Sequence, residues 1–551
     1  MTALRAVVVV PARDEAQRIG GCLRALGAQR RVASDAFEIV VVLDRCSDGT
    51  REAAAAAAAG IVTPVLIVES PGEGVGVARR HGMDLACARL FEAGAPDGLV
   101  ATTDADTLVA ADWLAEQLSL SSRGAEAIGG QIVLAGDDAG RLAPETLARR
   151  DARAGARMRT VLARDPAAEH HFFSGASMAV TARAYRAVGG LEPVAALEDE
   201  AFEARLDAAG VRIARSAAVR VVTAARTDGR TARGLARDLE LGEWLARRRY
   251  DGRTFGAEEL LDRKGATTIS VVLPARDCAA TVRAVLETAV MPFAERGLVD
   301  QVLVVDGASR DATAVRAARA GAEVHAEDDL LPEFGPALGK GDAMWRALTV
   351  AHGDVVVYMD ADTADPDPVH LLGLLGPLLH DPGVHLVKAA FRRPFRTADG
   401  ILADEGGRVT ELMARPLLNL HVPALAGFAQ PLAGETAARR DLLEAVPFAA
   451  GYGVEVGLLI DALRRVGLQG LAESQVGTRQ NRHQPLRDLG AMAFAVLCAV
   501  ERRIEREGAA AVPQGLVQPW DAASVRDVPV RERPPLREVI ARAPAPPGRA
   551  R

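Results

Sequence analysis

VVVVPARDEA (Val7–Ala16) and SVVLPARDCA (Ser270–Ala279) are two versions of one segment in a chain of 551 residues. Each is a β-branched apolar run that stops at Pro-Ala-Arg-Asp, the pattern of a buried strand with a loop beyond its carboxyl end. The echo continues in VVLDRCSDGT (Val41–Thr50) and LVVDGASRDAT (Leu303–Thr313), then in TTDADT (Thr102–Thr107) and MDADT (Met359–Thr363). Three landmarks in the same order at nearly the same offset mark a duplicated domain, far longer than a solenoid unit. Between them, short apolar runs alternate with longer amphipathic stretches rich in Ala, Arg and Leu. That rhythm reads as βαβ units: an α/β fold with two tandem, mostly parallel, Rossmann-like sheets covered by helices. Ligands of such sheets bind beyond the carboxyl ends of the strands, so the landmarks are expected to converge on one crevice per half.

The length exceeds one ordinary core and predicts several domains. The expected boundaries are 1–245, a polar Arg-rich linker over 246–268, a second domain over 269–507, and a Pro/Ala/Arg-rich tail over 508–551. The tail is expected to lack a packed core and to be partly disordered. Apolar residues at 49% and charged residues at 25% are the balance of a globular protein. A net charge of −7 gives no general attraction to nucleic acid, so an anionic substrate must be met by local Arg and Lys. Five scattered cysteines (Cys22, Cys46, Cys87, Cys278, Cys498) lack metal-type spacing and fit reduced thiols in a cytoplasm. Met1–Val10 runs straight into a strand and does not read as a signal peptide. The apolar stretch Ala53–Val68 carries Gly60 and Pro64 and falls short of a span, so no integral membrane segment is expected.

Asp104 and Asp106, like Asp360 and Asp362, follow an apolar strand two residues apart, which puts both carboxylates on one face. Such a pair can hold a hard divalent cation, Mg²⁺ or Mn²⁺, together with phosphate oxygens. A diphosphate leaving group needs that cation to offset developing charge. A lone Asp-x-Asp is usually a solvated turn; two at equivalent places favour a site. Asp44 and Asp306 end a strand each, where an acid can accept from ribose or base. Ser47, Asp48 or Ser309 beside them suit helix capping, and both roles fit. Gly339-Lys340-Gly341 resembles a phosphate-binding turn without Walker spacing. The first half offers Gly74–Arg80 at the same place, with Arg79 or Arg80 in the role of the lysine.

Pro-Ala-x-Asp, Asp-x-x-Ser and Asp-x-Asp in this order resemble the GT-A fold of family-2-type glycosyltransferases, in both halves. GKGDAMWRAL (Gly339–Leu348), GVHLVKAAFRRP (Gly383–Pro394), GGRVTELMARPLL (Gly406–Leu418), QPLAGE (Gln430–Glu435) and VPFAAGYGVEVGLLID (Val446–Asp461) are similar to the glucosyl-3-phosphoglycerate synthases and related mannosyl enzymes. The likeness runs from about Ile269 to Arg502. It implies transfer of glucose from UDP-glucose, or another nucleotide sugar, to the 2-hydroxyl of 3-phosphoglycerate with retention and a divalent metal. On that resemblance Pro274, Ala275, Asp277, Asp306 and Ser309 face uridine, and Lys340 faces the diphosphate or donor sugar. Asp360 serves the donor and Asp362 the metal. Gly407, Arg408, Val409 and Thr410 hold the acceptor's phosphate and carboxylate, and Glu455 binds the donor sugar. An arginine with adjacent backbone N–H groups suits so small and anionic a molecule. Retention without a positioned nucleophile lets the departing phosphate accept the acceptor's proton. In the first half Pro11, Asp14, Glu15, Asp44 and Asp104 are the matching nucleotide-side residues, and Asp106 the metal ligand.

Two departures stand out. The family's Arg-x-His-Arg-Asn reads Arg479-Gln480-Asn481-Arg482-His483, which makes Asn481 and His483 the alternative metal ligands. Cys278 stands where an acid is usual and where the first half keeps Glu15, so a GDP-sugar donor stays open. In the first half, LEDEAFEARLDAAGV (Leu197–Val211) resembles the acidic element of inverting family-2 enzymes, with Asp199 as general base. The alternative is an ordinary acidic helix N-terminus. His170 and His171 read as structural. Three functions remain: two catalytic halves; one catalytic half with a nucleotide-binding or dimerising module, a homodimer being open; or a sugar-nucleotide nucleotidyltransferase. The last wants a GxGxRLxP loop where both halves have Pro-Ala-Arg-Asp.

Overall fold

The computed structural model describes residues 3–194, 198–228, 234–397, 400–402, 406–479, 485–504, 515–517, 525–527 and 532–542. Residues Met1–Glu243 and Trp244–Arg551 form two compact units.

The first unit is built on β1 (Ala6–Ala12), β2 (Phe37–Leu43), β3 (Val65–Glu69), β4 (Leu99–Thr102), β5 (Thr107–Val109), β6 (Ala127–Leu134), β7 (Met178–Thr181) and β8 (Ile213–Thr223). They lie in the order β3-β2-β1-β4-β7-β6-β8-β5. β1 pairs in parallel with β2 and β4, and all seven of its residues are buried, as a central strand covered on both faces requires. Its alternate residues feed different cores: Val8 and Val10 pack with Ile39 and Trp113, Val7 and Val9 with Met83 and Phe202. β7 runs antiparallel between β4 and β6.

The second unit repeats this plan. Its strands include β9 (Arg249–Asp251), β10 (Ile269–Ala275), β11 (Gln301–Asp306), β12 (Glu323–Ala326), β13 (Val355–Tyr358), β14 (Leu386–Arg392), β15 (Thr436–Arg439), β16 (Phe448–Ala449), β17 (Leu471–Thr478) and β18 (Glu532–Arg533). The large sheet has the order β12-β11-β10-β13-β15-β14-β17-β9. Seven neighbours match the first sheet strand for strand. The edges differ: β5 is antiparallel to β8, whereas β9 is parallel to β17.

Four α-helices carry candidate site residues: α1 (Val75–Glu92) and α2 (Glu198–Ala208) in the first unit, α3 (Lys340–Ala347) and α4 (Val454–Val466) in the second. Both first strands leave the sheet through a left-handed aspartate, Asp14 at φ 50 and Asp277 at φ 53. Aspartate tolerates that conformation when its carboxylate bonds nearby. Asp14 Oδ1 accepts from Ser47 N at 2.6 Å, and Asp277 Oδ1 from Arg310 N at 2.8 Å.

Two stretches are more ordered than their composition suggests. The expected linker carries β9 and a helix over Ala257–Lys264, and Phe255 and Leu260 join the second core. Within the expected tail, β18 pairs antiparallel with β16 and is followed by α5 (Leu536–Arg542), whose Leu536 is buried. Among the described residues no helix is long and apolar enough to cross a membrane.

Gly341 marks a close approach of α3 to the rest of its unit. An added Cβ would overlap the Ala449 carbonyl oxygen and lie 2.8 Å from Val454 Cβ. Gly341→Ala is expected to lower stability by about 1–3 kcal/mol, seen as a reduced urea midpoint with an unchanged slope.

Candidate active site

Beyond the carboxyl ends of the second sheet lies a cavity of about 750 Å³. α3 begins there with Lys340, whose Nζ is 2.5 Å from Asp360 Oδ1 and 3.5 Å from Glu455 Oε1 at the start of α4. Arg479, one residue past β17, places Nη1 3.1 Å from Asp360 Oδ2 and 3.1 Å from Glu435 Oε1. Burial alone would raise the Asp360 pKa, but the Lys340 ammonium and the Arg479 guanidinium outweigh it and hold that carboxyl well below its usual range. Burial opposes the charge on Lys340, and Asp360 and Glu455 overcome it, so the lysine stays protonated. Gly434 sits against this pair; a Cβ there would overlap Lys340 Nζ and approach Asp360 Oδ1 at 2.5 Å.

Asp362 is different. Its side chain is 67% exposed on the cavity wall, and Arg479 Nη2 lies 3.8 Å from its Oδ1. One open carboxylate beside a cavity suits Mg²⁺ or Mn²⁺, which take few protein ligands and complete their shell with phosphate oxygens and water. Among the described residues no group of three His, Cys, Asp or Glu could hold an ion by itself. Asn481 and His483 lie outside the described residues.

Gly407, Arg408, Val409 and Thr410 line the same cavity, as do Pro274 and Ala275. Asp277, Asp306 and Ser309 are not on its wall. Their groups serve the loops: Ser309 Oγ accepts from Asp277 N at 2.9 Å, and Asp306 Oδ2 accepts from Ser309 N at 3.1 Å. Asp306 Oδ1 is buried without a hydrogen-bond partner, and so is Asp44 Oδ1 at the matching place in the first unit. Asp44 Oδ2 accepts from Gly74 N at 3.0 Å.

Sequence reasoning did not single out three further groups. Arg393 lines the cavity with its Nε buried and unpartnered; burial and the nearby Arg479 charge lower its pKa. Lys388 is fully buried, donates to the Ala433 carbonyl, and is brought down to about 8 by burial. Glu327, on the cavity wall, is pushed up to about 7 by burial and by Asp342.

The first unit assembles a related network from other residues. Arg79 of α1 places Nη2 2.8 Å from Asp104 Oδ1 and Nε 3.0 Å from Glu198 Oε1 at the start of α2. Arg80 turns away to Asp84 at 2.8 Å, so Arg79 is the cation of this pair. Asp199 Oδ2 accepts from Gly175 N at 3.1 Å, and Arg79 Nη1 donates to the carbonyl of that same Gly175 at 3.0 Å. Arg226, past the end of β8, lies 2.7 Å from Asp106 Oδ2 and 2.7 Å from Glu15 Oε1. Asp106 is only 10% exposed, and burial with the Asp104 charge pushes it up to about 6 against the pull of Arg226. The expected metal ligand of the first half is therefore paired with an arginine, whereas Asp104 is 36% exposed. Pro11 lies in buried β1, whereas Asp14 braces the loop after β2 by accepting from Ser47 N. Arg226 was legible only by analogy, as the arginine that follows β8 much as Arg479 follows β17.

Residues 7–187 and 270–405 match the family model described as glycosyl transferase family 2. The chain belongs to that family and is a glycosyltransferase. Its second half resembles a narrower group: the glucosyl-3-phosphoglycerate synthase of Mycolicibacterium paratuberculosis is 46% identical over 271 residues, 48% of this chain and 82% of the relative. Mannosyl-3-phosphoglycerate synthase from Rubrobacter xylanophilus, a solved structure, is 46% identical, with 54% of this chain and 99% of that chain covered at a TM-score of 0.48. Glucosyl-3-phosphoglycerate synthase from Mycobacterium tuberculosis, solved with Mn²⁺, UDP-glucose and phosphoglyceric acid, is 41% identical, with 52% and 95% covered at a TM-score of 0.46.

Gly434→Ala is expected to separate Lys340 from Asp360 and to cut kcat by about a hundredfold while the circular dichroism spectrum is kept. Glu327 gives a pH test. The unfolded chain ionises this acid near 4.5 and the folded chain only near 7, so stability falls as pH rises through that window. Glu327→Gln is expected to raise Tm by a few degrees near pH 8 and to leave it unchanged near pH 4.

Proposed function

We propose that the second half transfers glucose from UDP-glucose to the 2-hydroxyl of 3-phosphoglycerate with retention of configuration. The observation that carries this reading is one cavity lined by Lys340, Asp362 and Glu455 together with Gly407, Arg408, Val409 and Thr410. The first set suits a sugar diphosphate, and the second suits a small polyanion. The names of the relatives support the same pair of substrates. Lys340 meets the diphosphate as a point charge. Asp362 holds the divalent ion, which when bound offsets the charge developing on the departing diphosphate. Glu455 accepts from a hydroxyl of the donor sugar. Arg408 and the backbone N–H groups beside it hold the acceptor's phosphate and carboxylate, which aims its 2-hydroxyl at the anomeric carbon. That hydroxyl passes its proton to the departing phosphate oxygen, so no further base is required.

For the first half we infer a second sugar transfer, to a different acceptor and with inversion, in which Asp199 takes the acceptor's proton. The pairing of both Asp104 and Asp106 with arginines favours a second reading, in which this half binds a nucleotide without turnover. The two halves are taken as Met1–Glu243 and Trp244–Arg551. Five free thiols fit a cytoplasmic site of action.

The test incubates the full chain and Mn²⁺ with 3-phosphoglycerate and either UDP-glucose or GDP-mannose, read by mass spectrometry. Glucosyl-3-phosphoglycerate is the expected product; hexose transfer from GDP-mannose alone would assign the donor differently. Asp362→Ala is expected to abolish transfer without loss of folding. Arg408→Ala is expected to raise the KM for 3-phosphoglycerate about tenfold and that for UDP-glucose less than about twofold.

A further inference from the structure

We propose that Arg533, carried by the C-terminal segment, is a positioning residue for the donor diphosphate, because it fixes the helix start from which Lys340 reaches the cavity. The inference rests on the reading of the second half given above.

Arg533 grips Asp342 with both prongs of its guanidinium, Nε to Oδ1 at 2.8 Å and Nη2 to Oδ2 at 2.7 Å. The Asp342 side chain is wholly buried and that of Arg533 is nearly so. Asp342 lies two residues beyond Lys340 on α3. Its Oδ2 accepts from Leu338 N at 3.0 Å, and its own backbone N–H donates to the Ala450 carbonyl at 3.1 Å. Leu338, Gly339 and Lys340 all line the cavity, as do Gly451 and Tyr452 after Ala450. The Arg533–Asp342 clamp therefore closes the turn that aims Lys340.

The segment is held from both flanks of that turn. β18 pairs with β16, just before Ala450, and Trp345 Nε1 of α3 donates to the Pro534 carbonyl at 2.9 Å. Arg533 Nη1 also donates to the Phe334 carbonyl at 2.9 Å. Arg346 approaches Asp342 Oδ1 at 3.2 Å, so loss of Arg533 leaves the buried carboxylate with one cation and no planar clamp. Lys340 binds as a point charge on a long stem, so its aim depends on the backbone it starts from, and small displacements at a reacting centre cost much.

The test compares Arg533→Ala and Arg533→Lys with Leu536→Ala, which removes packing in α5 without touching Asp342. Steady-state constants are measured with the full chain well below each Tm, and UDP binding is followed by calorimetry with Mn²⁺. Arg533→Ala is expected to raise the KM for UDP-glucose and the Kd for UDP about tenfold, leaving the KM for 3-phosphoglycerate within about twofold. Arg533→Lys is expected to fall between it and the parent, and Leu536→Ala to lower Tm with unchanged constants. Unchanged UDP affinity in folded Arg533→Ala would overturn the proposal. An equal rise in Leu536→Ala would reduce the segment to a stabilising one. Were the parent to bind UDP but make no glucosyl-3-phosphoglycerate, the functional reading would fail while the UDP titrations still decided the role of Arg533.

Discussion

The Lys340 ammonium, 2.5 Å from Asp360 and 3.5 Å from Glu455, is the contact on which the second unit's site is built. A largely buried carboxylate such as Asp360, 17% exposed on the cavity wall, is costly unless it is paired, and removal of a partner from such a pair costs more than the pair contributes. The partners arrive from separate elements: Lys340 from the start of α3, Glu455 from the start of α4, Arg479 from just past β17. Pairing the charges therefore also sets the relative placement of three elements at the end of the sheet. Gly434 belongs to the same constraint, since only a residue without a side chain leaves room for the ammonium beside Asp360.

The first unit solves the same electrostatic problem with a different cation, and the difference bears on what each half can do. Arg79 reaches Asp104, Glu198, Thr102 Oγ1 and the Gly175 carbonyl, and its side chain is 3% exposed. Its planar fork is consumed by protein acceptors. Lys340 is 29% exposed and lines the cavity, so its charge remains available to a ligand. The cation of the first unit is thus a structural tie, whereas that of the second can meet a diphosphate.

The duplication, the parallel sheets and the acidic strand ends were legible in the sequence because each is written in a few adjacent residues. Pro-Ala-Arg-Asp and Asp-Ala-Asp need no knowledge of distant partners. What escaped were contacts between residues far apart in the chain. Arg226 meets Glu15 across 211 positions, and Arg533 meets Asp342 across 191. Composition also misled where order comes from a neighbour. Arg249–Asp251 is too short to show a strand period, yet it pairs with β17. Glu532 and Arg533 sit in a Pro- and Arg-rich run but find β16 and a buried acid. Asp277, Asp306 and Ser309 were read from their motif as facing a nucleotide; their side chains also brace the backbone, with Asp277 and Ser309 bonding across from one loop to the next and Asp306 within its own.

The divergence of the halves turns on one position at the end of the first strand. In the first unit Glu15 and Asp106 share Arg226, so the guanidinium is drawn over the second carboxylate of Asp-Ala-Asp. In the second unit the matching residue is Cys278, whose thiol donates to the Arg276 carbonyl at 3.2 Å and offers no charge to hold an arginine. Arg479 is drawn instead to Asp360 and Glu435, deeper in the unit. Asp362 is left 67% exposed where Asp106 is 10% exposed. Exchange of an acid for a thiol thus accompanies the opening of a carboxylate to the cavity, and the departure at Cys278 reads as part of the site's chemistry.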